Sequence, residues 1–133
     1  MSAATQTRVQ MRWQDLDGLG HVNNVVVLTY LEEGRDAFLR HHGIRPDQYV
    51  VGRCRVSYNA EIDPAFRAVT VECGVAELGR SSVRTSERIL DDHGDTVVEA
   101  EFGLVLWDAD ERHPRPITDT ERASLTGAGE GGG

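Results

Sequence analysis

Cysteine is scarce in this chain: Cys54 and Cys73 are its two, far apart and without CxxC spacing. Neither a disulfide framework nor a cysteine metal site is expected, which fits a reducing compartment. Each cysteine reads as a small core residue. Long apolar runs are missing as well. No stretch approaches the roughly 18 residues that a membrane-spanning helix needs. The first residues, Met1 to Thr7, show no basic segment followed by an apolar one, so no secretory signal is read there. A cytoplasmic location is the expectation. Positive charge is also in deficit, with 14 Lys and Arg against 22 Asp and Glu, a formal net charge of −8. Nucleic acid demands a clustered basic surface and is not an expected partner.

What is present suits one domain. The 133 residues contain no internal repeat, and residues 1–126 read as a single unit. Residues 127–133, five glycines in seven, read as a disordered tail. Alternation marks the strands. Val9, Met11 and Trp13 share one face against Arg8, Gln10 and Arg12. Cys54, Val56 and Tyr58 do the same against Arg53, Arg55 and Ser57. Val69, Val71, Cys73 and Val75 form a third strand. Residues 80–91 form a fourth, with Val83, Thr85 and Ile89 on one side. The fifth carries Val98, Ala100, Phe102, Leu104 and Leu106, after a turn at Asp92-His93-Gly94-Asp95.

One segment departs from this rhythm. From Asn24 to His42, Val27, Tyr30, Leu31, Ala37 and Phe38 recur at helical spacing. Asn23 or Asn24 can cap its start, and Gly43 with Pro46 can end it. The run Val25-Val26-Val27 makes the first turns apolar nearly all round, which calls for a helix that is wrapped. The pattern predicts an α+β fold: five antiparallel strands curled around one long central helix.

The chemistry falls on the loop before that helix, Gln14-Asp15-Leu16-Asp17-Gly18-Leu19-Gly20-His21-Val22-Asn23-Asn24. A helix start offers unpaired N–H groups and partial positive charge, which suit an oxyanion. A carboxylate beside it can attack a carbonyl or activate the water that does. Gly18 and Gly20 allow sharp turns between these groups. Asp, Gly and Asn are also ordinary loop residues, and Asn is an ordinary cap. A metal site at Asp15, Asp17 and His21 lacks a second histidine at ligand spacing.

The order Asp-x-Asp-x-x-Gly-His-Val-Asn-Asn, followed by a helix with Tyr30, Leu31, Glu32, Glu33 and Arg35, resembles the hotdog-fold acyl-CoA thioesterases. The likeness is to the 4-hydroxybenzoyl-CoA thioesterase-like branch with the long-chain acyl-CoA thioester hydrolases, over Val9 to Ile117. Arg55-Val56-Ser57-Tyr58, Leu78-Gly79-Arg80-Ser81-Ser82, Gly94 with Glu99-Ala100, and Arg115-Pro116-Ile117 agree with it. The resemblance implies that Asp17 is nucleophile or general base and that an amide near Asn24 polarises the thioester carbonyl. It gives His21 and Asn23 the shaping of the loop or the placing of water, and Asp15 loop support. Val25 and Val27 would meet the acyl group. Val27 stands where relatives commonly carry an aromatic residue, so the size of that group is open. Arg80, Ser81 and Ser82 match the position where relatives meet CoA. Glu32, Glu33 and Arg35 would be fold or interface charges.

The implied reaction takes acyl-CoA and water to a carboxylic acid and CoA, with no cofactor and no metal. The implied assembly is a homodimer or homotetramer with the active site between protomers, away from any membrane. Two alternatives stay open: a thioesterase acting on acyl carrier protein, and a hotdog protein that only binds acyl-CoA.

Overall fold

The computed structural model describes residues 4–12, 15–16 and 22–127, without the side chain of Phe66. Strand β1 (Thr5–Gln10) leads through the loop to helix α1 (Asn24–His41). Then follow β2 (Tyr49–Tyr58), β3 (Ala68–Leu78), β4 (Ser82–Leu90), β5 (Thr96–Asp108), the two-residue β6 (His113–Pro114) and helix α2 (Asp119–Thr126). Five strands run in the order β1-β3-β4-β5-β2, all antiparallel, and β6 pairs with β5.

The α+β class and the antiparallel sheet stand, and the count changes: the sheet has six strands, and a second helix follows it. The chain order also misleads at β2. It does not neighbour β3 but pairs with β5 and forms the sheet's far edge.

Helix α1 forms where the periodicity places it. Its inward side carries Val27, Tyr30, Leu31, Gly34, Phe38 and Leu39, which join Val69, Val71, Val83, Ile89, Leu104 and Leu106 from the sheet in one core. Gly34 is the point of closest approach: a Cβ there would run into Val71 of β3. Gly43 ends the helix at φ +81°, a left-handed conformation that glycine adopts without steric cost. Gly94, at φ +84°, turns the β4–β5 hairpin as its sequence predicts.

The expectation of a wrapped helix fails at the first turns. Val25 is 72% exposed, and Leu28 is exposed too. Strand β2 is equally uncovered. Its inward-facing residues lie opposite the buried Val98, Ala100, Phe102 and Leu104 of β5. Even so, Val51 is 47% exposed and Cys54 is exposed. Cys73 is a core residue as expected, and Cys54 is not. The reason is position: α1 packs over β1, β3 and β4, so β2 lies beyond its cover. Only the two ends of β2 reach the helix, through Tyr49 to the Asp36 carboxylate at 2.6 Å and Tyr58 to the Asn24 carbonyl at 3.1 Å.

Candidate active site at the start of helix α1

Asn23 is the residue that caps α1. Its backbone is extended, and its side-chain oxygen accepts the Val25 N–H at 2.8 Å. Its carbonyl accepts the N–H groups of Val26 and Val27 at 2.9 and 3.3 Å. A helix start leaves its leading N–H groups without intrahelical partners. Here the cap satisfies the second to fourth, and among the described residues nothing accepts from the first, Asn24 N–H. The Asn23 side chain is thereby committed to the helix, whereas Asn24 is exposed.

The loop expected to carry the chemistry is bridged at its base. Leu16 and Val22 form an isolated antiparallel bridge, and the Asn23 N–H donates to the Asp15 carbonyl at 3.0 Å. Asp17 and His21, which fall between these partners in the chain, lie outside the described residues; Trp13 and Gln14, which precede them, do so too. Asp15 is buried at 5% exposure. Its Oδ2 accepts the Tyr30 hydroxyl at 2.6 Å and the Arg12 N–H at 2.8 Å, with the Arg12 guanidinium 3.6 Å away. Burial works to raise the Asp15 carboxyl, but these donors outweigh it and hold the group below the usual carboxylate range. Tyr30 moves the other way: burial, and then its bond to Asp15, push the phenol well above its ordinary value. This partnership with Tyr30 had no sequence signal, because Tyr30 reads as helix core.

A cavity of about 390 Å³ opens at the helix start, lined by Asn23, Asn24, Val27, Tyr58, Ile62 and Val98 among others. Val27 thus borders open space although it is 2% exposed; Val25 is not among the lining residues. Tyr58, Ile62 and Val98 were not singled out as site residues. Tyr58 had one signal, its place before the loop in the Arg55-Val56-Ser57-Tyr58 motif. On the far side of the loop base lies a larger cavity, about 600 Å³, bordered by Arg8, Arg12, Leu16 and Arg67.

Arg80, Ser81 and Ser82 stand elsewhere. They form the tight β3–β4 turn, in which Ser82 closes over Gly79, where a Cβ would collide with its hydroxyl. The carbonyls of Arg80 and Ser81 accept from Ile117 and Leu106 at 2.8 and 2.7 Å. The helix start lies beside Tyr58, opposite Val98, and the turn lies beside Leu106. The eight strand steps from Val98 to Leu106 span about 26 Å. One protomer therefore does not bring the two groups together.

An antiparallel sheet with a helix across one face, and a helix start capped by Asn23 beside the buried Asp15, fit the frame of a hotdog thioesterase. The comparisons agree. The family model of the Thioesterase-like superfamily matches residues 11–125, so the chain belongs to that superfamily and is a thioester hydrolase. Among curated proteins, none matches. Among solved structures, a thioesterase of Thermus thermophilus complexed with coenzyme A and Zn is 33% identical, with a TM-score of 0.81. The match covers 95% of this chain and 93% of that one. A predicted thioesterase from Bacillus stearothermophilus is 26% identical at TM-score 0.82, covering 93% and 95%. A Staphylococcus aureus protein solved with CoA, only 10% identical, shares the fold at TM-score 0.82, covering 95% and 84%.

Proposed function

We propose that the protein hydrolyses acyl-CoA thioesters at the start of α1. The Asn24 N–H, left over by the Asn23 cap, is the observation that carries this reading. It would donate to the thioester oxygen and stabilise the negative charge that gathers there. Asp17 follows Leu16 in the chain. Its carboxylate attacks the carbonyl carbon or takes a proton from the attacking water. With water attacking, the C–S bond breaks, the acyl group leaves as the acid and the proton taken from water goes to the CoA thiolate. With Asp17 attacking, C–S cleavage leaves a mixed anhydride that one water then hydrolyses, giving the same acid and returning a proton to the thiolate. The relative solved with coenzyme A supports CoA as the carrier, and Val27 on the cavity wall would limit the acyl group.

The active unit would be a pair of protomers joined along β2. Two β2 edges paired antiparallel set the second copy's residues 80–82 at the same end of the sheet as this helix start. Three strand spacings, about 14 Å, would then separate them. The pairing would also bring the exposed Val51 and Cys54 under cover.

Thiol release from a panel of acyl-CoAs tests the reading. Wild type should turn over at least one member, and Asp17→Asn should lose at least about a hundredfold in kcat, since an amide is neither base nor useful nucleophile. Near-normal rates in Asp17→Asn would remove Asp17 from the centre.

A further inference from the structure

We infer that Tyr58 sets the size of the acyl group, its ring serving as a wall of the cavity at the helix start and its hydroxyl holding that wall in place. The inference deepens the reading of this cavity as the acyl site and rests on it. Tyr58 is the last residue of β2 and pairs with Val98 of β5. Residues directly opposite in an antiparallel ladder project to the same face, and Val98 is buried. The ring therefore stands on the helix side of the sheet, where it lines the cavity with Val27, Ile62 and Val98.

Both ends of this side chain are fixed. At its base, the pairing with Val98 continues into two bonds, from the Asn59 and Ala60 N–H groups to the Val97 carbonyl at 2.8 and 3.2 Å. At its tip, the hydroxyl donates to the Asn24 carbonyl at 3.1 Å. The ring thus spans from the sheet to the first residue of α1, whose N–H the proposed reaction uses. A tyrosine side chain has two rotatable angles, so tethering base and tip leaves the ring little freedom.

Strand β2 sends a second tyrosine to the helix, and the contrast separates two roles. Tyr49 packs against the core and donates to the Asp36 carboxylate at 2.6 Å. Tyr58 is 45% exposed, and its acceptor is a neutral carbonyl. The first ring fills the core, while the second keeps a face open to a bound group. The other apolar walls, Val27, Ile62 and Val98, are aliphatic and shorter than a phenol, so Tyr58 is the wall whose removal opens the most room. An apolar pocket discriminates by about tenfold or more for each methylene it accepts or refuses.

Two series read the cavity: kcat/KM for short and long acyl-CoAs, and the affinities of the matching non-hydrolysable S-alkyl-CoAs. Tyr58→Ala should raise the long-over-short ratio about tenfold or more in both. Tyr58→Phe keeps the wall and frees its tip, so the ratio should rise by about threefold, the worth of one ordinary hydrogen bond. Tyr58→Leu should fall between wild type and Tyr58→Ala, which preserves the test if the alanine variant does not fold. Tyr49→Phe should lower the melting temperature and leave both ratios unchanged. Wild-type ratios in a folded Tyr58→Ala or Tyr58→Leu protein would overturn the inference. So would wild-type ratios in Tyr58→Phe, since the hydroxyl would then hold nothing. An equal rise in Tyr49→Phe would also overturn it, by tracing selectivity to a general loosening of β2. The two series separate this claim from the reaction itself. Turnover with ratios blind to Tyr58 keeps the reaction and removes the wall. S-alkyl-CoA binding without turnover removes the reaction, and the affinity ratios then decide the wall.

Discussion

At the scale of single residues, the largest electrostatic commitment lies in the core. Arg35 and Glu87 are almost fully buried and meet as a fork, Nε to Oε2 at 2.9 Å and Nη2 to Oε1 at 3.1 Å. The guanidinium stacks 3.7 Å over the Phe102 ring, and Thr85 donates to the same carboxylate at 2.5 Å. Burial works to strip the proton from Arg35, and Glu87 more than reverses it, so the charge is retained. Removing one partner strands the other. Glu87→Ala should therefore cost about 3–5 kcal/mol in urea unfolding, while Arg35→Met with Glu87→Leu should cost less than either single change. A loss below about 1 kcal/mol for Glu87→Ala would show the pair to be dispensable. The Asp15 carboxyl yields a pH test. Its folded value lies below the ordinary one, so its stabilisation is whole above the unfolded value near 3.9. It fades as pH falls from there through the folded value. The melting-temperature gap between wild type and Asp15→Asn should be full at pH 7 and narrow below about pH 4. A gap that widened on acidification would reverse the assignment.

At the scale of elements, α2 locks the turn that carries Arg80, Ser81 and Ser82. Thr118 and Glu121 form a capping box, and Arg115 holds the Glu121 carboxylate through two bonds of 2.8 Å. Arg122 donates to the Gly79 carbonyl at 2.8 Å, and Leu125 is fully buried. Leu125→Ala should cost about 2–5 kcal/mol by leaving a cavity, and Thr118→Ala about 1 kcal/mol by losing a cap. Equal small losses in the two unfolding curves would mean that α2 is not docked. This helix also shows where the sequence was hard to read. Eight residues give too few turns for an apolar period, and its one signal, Thr118-x-x-Glu121, went unread. Strands β3, β4 and β5 and helix α1 were legible because alternation and helical spacing there match burial on one face, whereas β1 ends at Gln10, before Met11, and β2 alternates without burial. Gly127, assigned to a disordered tail, instead ends α2 at φ +81°. The helix-start amide could be read from the loop's composition. The distance from that site to residues 80–82 could not, because it depends on β2 pairing with β5, and alternation does not encode strand order.

At the scale of the whole molecule, the proposed assembly rests on β2. Its alternation is that of a half-buried strand, yet among the described residues its middle is left exposed. Val51, with Val25 and Leu28 of α1, is exposed apolar surface, and among the described residues the outer edge of β2 has no strand partner. Such an edge invites pairing with another chain. A second copy is the occupant that would also complete the proposed site, so light scattering should give at least twice the protomer mass of 14.7 kDa. Val51→Lys sets a charge on that edge and should shift the protein toward monomer, with turnover falling in step. Cys54 reports the same event without an activity assay. It is exposed in the isolated protomer, whereas Cys73 is buried and burial pushes its thiol well above the ordinary range. A chromogenic disulfide reagent should therefore attack Cys54 slowly in wild type and quickly in Val51→Lys, leaving Cys73 untouched in both. Fast Cys54 reaction in a fully active wild type would show an open edge in the working enzyme, and the β2 assembly would have to be abandoned.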